Sequence, residues 1–262
     1  GPTALRHLDA GLALPLRPSE SDSSFRPRFA VRRAQVLAST GRPDEARARF
    51  VEALESLDAL ARFAEGRELA EAQYERAIVL QALGREGEVR AALDAAFDAS
   101  ADNRSIAGLS VAFCLGHARW SDALDLSRRA RAQLTLEPAW QVYFALWSKA
   151  AARLGHLTDD AGATSALTAI ATTDDPHVPW TTRLAQRAVG QITREQLLAA
   201  AHTRGQRAEA LFYDAMEALA TGDAAGATRD LREVLATETL HYHEYAMAWD
   251  TLRRLAEAPA AR

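Results

Sequence analysis

The chain has 262 residues, 48% of them hydrophobic, which is enough to bury a sizeable core. Its 35 acids against 31 lysines and arginines leave a net charge of -4, which excludes a broad basic field for nucleic acid or an anionic membrane. The longest apolar run, Ile106 to Leu115, is too short to span a bilayer, and the single cysteine within it, Cys114, excludes an internal disulfide and reads as a small core residue.

The first 27 residues stand apart from the rest. Gly1-Pro2 resembles the remnant of tag removal and is set aside. Leu5, Leu8 and Leu12 have helical spacing, but Pro15, Pro18, Ser19 to Ser24 and Pro27 then break regular structure and read as a linker. From residue 28 to residue 256 alanine, leucine, arginine and glutamate dominate, which favours helix over strand. Residues 257–262 read as a disordered tail.

The helices come in pairs joined by similar turns. In Gly41-Arg42-Pro43-Asp44-Glu45-Ala46, glycine suits the left-handed end of one helix, proline opens the next, and the two acids face its positive end. Ala46, Phe50, Ala53, Leu54 and Leu57 then form one apolar stripe. Gly84-Arg85-Glu86-Gly87-Glu88, Ala118-Arg119-Trp120-Ser121-Asp122, Gly155-His156-Leu157-Thr158-Asp159 and Gly222-Asp223 repeat the turn, with Ser121, Thr158 and Asp223 as expected N-caps. Thr193 and Gln196 have the spacing of a capping box. A degenerate pair is expected at residues 180–189 and 194–203, which makes about six pairs in all.

A small residue soon after each turn, a large apolar residue four later and a small one three after that are carried by Ala46, Phe50 and Ala53, by Val89, Leu93 and Ala96, and by Ala227, Leu231 and Val234. Ala123, Ser127 and Ala130 follow it in part. This pattern resembles tetratricopeptide repeats. The stretch from Glu209 to Asp223, followed by Glu244-Tyr245-Ala246 and Leu252 to Leu255, is similar to the last repeat and closing helix of bacterial proteins of that family, periplasmic lipoproteins included. Tyr245, Ala248, Trp249, Leu252 and Leu255 form the stripe with which the closing helix is expected to cover the last repeat. The resemblance implies an all-α, right-handed α-solenoid of about six helix pairs with a C-terminal capping helix.

Motifs for chemistry are sparse. His241-Tyr242-His243-Glu244 is the most metal-like cluster, but Met247 stands where a zinc-protease motif needs its second histidine, and histidines two apart on a helix face different ways. Lys149, the only lysine, has no glycine-rich phosphate loop before it, and no serine lies in a nucleophile elbow. Asp159-Asp160 and Asp174-Asp175 read as capping and solvated acids, and the sequon Asn103-Arg104-Ser105 as chance in a turn. Arg28 and Arg32 share a helix face suited to gripping a carboxylate or phosphate.

These features point to a non-catalytic scaffold or adaptor that binds a protein or peptide, with no cofactor, no metal and no nucleic-acid partner. The expected concave groove is lined by Arg28, Gln35, Glu71, Tyr74, Ile78, Gln81, Phe212 and Met216. One lysine and one asparagine, Lys149 and Asn103, disfavour the clamp by which some relatives hold chaperone tails. The other expectation is a regulatory or sensory segment of a larger bacterial signalling protein, such as a kinase or a transcription activator. Bacterial cytoplasm and periplasm both stay open as compartments.

Overall fold

A computed structural model describes residues 25–99, 103–172 and 178–257. The described residues hold thirteen helices and no strand, so the fold is all-α. The expectations for Leu5, Leu8 and Leu12, for Gly1-Pro2 and the proline-serine stretch up to Ser24, and for Asp174-Asp175 lie outside the described residues. So do residues 258–262. The chain divides into two compact units, residues 1–106 and 107–262.

The first unit contains α1 (Phe25–Ser39), α2 (Pro43–Ala61), α3 (Gly66–Ala82) and α4 (Glu86–Ala99). Each helix packs on the next, and α1 also touches α3. Helix α1 starts earlier than the proline pattern suggests: Pro27, assigned above to the linker, sits in the first turn, where a missing N–H leaves no helical bond unmade. The stripe of α2 is buried as a set: Ala46, Phe50, Ala53, Leu54 and Leu57. In α4 the buried set is Val89, Ala92, Leu93, Ala96 and Phe97. Asn103 follows; its side chain accepts from Ser105 N at 3.1 Å and Ile106 N at 3.2 Å, which explains the sequon asparagine as the cap of the next helix.

The second unit contains nearly all of α5 (Arg104–Gly116) and then α6 (Trp120–Gln133), α7 (Pro138–Leu154), α8 (Ala161–Ala171), α9 (Trp180–Ala188), α10 (Arg194–Ala199), α11 (Arg204–Ala220), α12 (Ala224–Ala236) and α13 (His243–Glu257). Helices α7 and α11 pack on each other and are flanked by α9 and α13. One core cluster joins Val142, Leu146, Leu167, Leu184, Leu197 and Ala210, from α7 to α11. Cys114 is fully buried.

Six turns of the described chain close in the same way. The residues at 41, 84, 118, 156, 190 and 222 have left-handed φ between 51° and 86°. In each turn the residue that follows donates its N–H to the carbonyl five residues back, at 2.8–3.1 Å, as in Arg42 to Leu37 and Asp223 to Ala218. Four of the six are glycine, and Ala118 and His156 hold the same conformation with a side chain attached.

Helix starts agree with the sequence pattern in some places and differ in others. Thr193 and Gln196 make both bonds of the expected capping box, and Asp223 caps α12 through Gly226 N at 2.8 Å. Ser121 does not cap α6; it lies inside the helix, which begins at Trp120 because the turn at Ala118 closes one residue earlier. Asp160, not Thr158, caps α8 by accepting from Ala163 N at 3.1 Å. The segment from 194 to 203 is a helix only to Ala199, because Thr203 and Gln206 form a second capping box that starts α11. The closing helix α13 is also rotated from expectation. It buries Glu244, Met247, Ala248 and Thr251, while Trp249 is 54% exposed. The rotation follows from Glu244, which turns inward to accept a hydrogen bond from Tyr213.

Candidate functional site

Two regions bring polar groups together, one in each unit. In the first, α1 and α3 run side by side and present a seam of charged residues. Arg28 of α1 bonds Glu71 of α3, which also accepts from Arg67 at 2.8 Å. One turn on, Arg32 bonds Glu75 at 2.7 Å and Gln35 at 2.8 Å. The two arginines that the sequence suggests as a grip for an outside anion thus meet carboxylates of their own chain. Glu75 is buried, and burial pushes its carboxyl up despite Arg32 and Arg28. Tyr74 and Gln81 lie half-buried on the same helix, and Ile78 is buried between them.

The second region is a cavity of about 330 Å³ among α7, α9, α10 and α11. Its floor is apolar, from Leu146, Leu184 and Leu197, which belong to the core cluster. Its rim is charged. Arg153 pairs with Glu217 at 2.5 Å, and Arg187 pairs with Asp214 at 2.8 Å. Asp214 is buried together with Asp230, and Arg194 bridges them, with both Asp230 oxygens at 2.6 and 2.9 Å and Asp214 at 3.3 Å. Burial pushes the Asp214 carboxyl up, and Arg187 and Arg194 oppose it. Lys149 donates to the carbonyl of Ala188, the last residue of α9, where a cation suits the negative helix end. Burial holds the Lys149 ammonium below the usual lysine range.

Beside this cavity lies a buried carboxylate cluster that ties four helices together. Glu209 of α11 accepts from Tyr143 of α7 at 2.8 Å and from the indole N–H of Trp180 of α9. Glu244 of α13 accepts from Tyr213 of α11 at 2.8 Å. Both carboxyls are pushed up by burial, Glu244 to about 8, and the charge of Glu209 adds to the effect on Glu244. Glu209 receives two hydrogen bonds on its two oxygens, so it is the better anion, and Glu244 holds the proton at neutral pH. Burial and the nearby carboxylates keep the Tyr143 and Tyr213 phenols protonated, as donors must be.

An aromatic wall closes the cluster. Trp140 and Trp147 of α7 pack edge-on against His243 at 6.1 and 5.6 Å, and a Cβ at Gly108 of α5 would lie 2.8 Å from the Trp140 ring. Burial holds the His243 imidazole below its ordinary value, so it packs as a neutral ring. His241 packs against the Tyr242 ring at 4.7 Å with the two planes tilted by 57°, and the two histidines do not converge.

The eight groove candidates thus fall in both units. Arg28, Gln35, Glu71, Tyr74, Ile78 and Gln81 gather on the α1–α3 seam; Phe212 is fully buried; Met216 is buried and lines the cavity. Sequence reasoning did not single out Tyr143, Trp180, Arg187, Glu209, Tyr213 and Asp214. An available signal was Glu209 and Asp214 lying among the apolar residues of the α11 stripe, since an acid on a buried helix face needs a partner. Compared with known proteins, the chain matches no family model and no curated protein.

Proposed function

We propose that the helix pairs are tetratricopeptide-like repeats of a right-handed α-solenoid, about six in number, and that the chain is a non-catalytic scaffold binding a protein or peptide partner. The six turns of one geometry support the repeat reading. So does the burial of every residue of the small–large–small pattern, Ala123, Ser127 and Ala130 included. No described helix is long and apolar enough to cross a membrane.

The observation that carries the binding reading is the α1–α3 seam. Arg28 and Gln35 on one helix stand beside Glu71, Tyr74 and Gln81 on the next, all half-buried, across two adjacent first helices. A rigid row that offers both charges, amides and a phenol suits an extended or helical peptide. The direct test compares partner capture by the intact protein, by the Arg28→Glu, Tyr74→Ala double variant, and by an Arg49→Glu control on α2. The double variant is expected to lose its partners while the control keeps them. Equal recovery by a folded double variant would exclude this face.

A further inference from the structure

We propose that the cavity between α7, α9, α10 and α11 is a binding site for a small apolar carboxylate, either free or as the carboxyl-terminal residue of a peptide. The proposal concerns the second unit alone and does not depend on the α1–α3 seam.

The charges around the cavity do not cancel. Arg153 and Arg187 are each matched by a carboxylate, Glu217 and Asp214. Lys149 is not in any ion pair among the described residues: it makes one hydrogen bond, to the Ala188 carbonyl, and the charges of Glu217 and Asp159 act on it only from farther away. An ammonium has three N–H donors, so two remain for a ligand. Arg187 spends its Nε and one terminal nitrogen on Asp214, and Arg153 binds Glu217 through one terminal nitrogen, so both guanidiniums keep N–H groups unspent on these acids. Lys149 is half-buried with no carboxylate in contact to offset the water it loses, and burial already disfavours its charge. A single anion seated against Lys149 relieves that cost.

Shape and charge then narrow the ligand. At about 330 Å³ the cavity is at the small end of ligand sites, and Leu146, Leu184 and Leu197 give it an apolar floor. One unmatched positive charge fits a monoanion better than a phosphate dianion. The Asp214 and Glu217 carboxylates at the rim also repel a second negative charge. What remains is one carboxylate on an apolar body the size of a leucine residue.

Isothermal titration of the whole protein with N-acetyl-leucine and N-acetyl-leucinamide tests this at low salt. The acid is expected to bind at least ~10-fold more tightly than the amide, the ratio that one charge-assisted hydrogen bond delivers. Lys149→Met keeps most of the stem and removes the charge, so it is expected to abolish the preference. Circular dichroism checks that the variant is folded; if it is not, the acid-to-amide ratio of the unmodified protein decides alone. A short peptide ending in leucine, with a free or an amidated terminus, separates the two sources. Tighter binding of the free peptide than of N-acetyl-leucine assigns the site to peptide ends, and the reverse assigns it to free acids. Equal binding of acid and amide, no binding of the acid at about 10 mM, or a folded Lys149→Met protein that keeps the preference would overturn the proposal.

Discussion

The two units handle charge in different ways. In the first, α1 and α3 are stitched by arginine–carboxylate pairs whose arginines stay near the surface, with 35% and 46% of the Arg28 and Arg32 side chains exposed, although Glu75 itself is buried. In the second, the acids are drawn inward, with Glu209, Asp214, Asp230 and Glu244 all buried and held by tyrosine, tryptophan or arginine from neighbouring helices. Water reaches the arginines of the first set and screens the Arg28–Glu71 pair, which fixes position at little energetic gain. It is kept from the second, so each carboxylate depends on its partner.

That contrast predicts a graded set of effects. The largest belongs to Glu244. In the unfolded chain it gives up its proton near 4.5, whereas the folded protein holds it up to about 8. Between those values the folded state binds the extra proton, so the contribution of Glu244 to stability is full below about pH 4.5 and falls as pH rises through the window. The loss is on the order of 3–4 kcal/mol after allowance for relaxation of the buried group. Glu244→Gln keeps the acceptor for Tyr213 and is expected to flatten the slope; urea melts from pH 5 to 8 measure it. If the variant keeps the full pH dependence, the proton belongs elsewhere.

Arg194→Ala comes next. It strips the two-point partner from Asp230 and leaves a buried carboxylate behind, at a cost of about 3 kcal/mol by chemical denaturation. A cost below ~1 kcal/mol would mean that these acids are well solvated and that the contrast between the units is false.

A smaller effect, and of opposite sign, is expected at the turns. The first unit uses glycine at 41 and 84, but the second puts Ala118 in the left-handed region at φ 57°. Ala118→Gly relieves the clash of Cβ with the backbone and is expected to stabilise by about 1 kcal/mol, read as a raised Tm. The smallest effect lies on α2 of the first unit. Arg49 and Glu52 pair at 2.6 Å with about half of each side chain exposed, so Arg49→Ala is expected to cost less than about 0.5 kcal/mol.

Much of this was legible beforehand because it depends on local chemistry. The stripe from Ala46 to Leu57, the turn glycines and the Thr193–Gln196 box are set by spacing and backbone preference within a few residues. What escaped was the inside of the second unit. Tyr143 meets Glu209 across 66 positions and Arg153 meets Glu217 across 64, and no local pattern marks either pair. The arginines at 28 and 32 were recognisable as a cationic face, but their carboxylates are 43 positions away on α3.

The order of residues thus decided by itself that this chain is helical, where most of its turns fall and which stripes avoid water, since propensity, capping and periodicity act between neighbours. Tertiary structure alone decided which acids go inside, which cation is left without a contact ion pair, and that a cavity opens beside it. Those outcomes depend on helices far apart in the chain arriving at one place, where the loss of water makes each missing or surviving partner count.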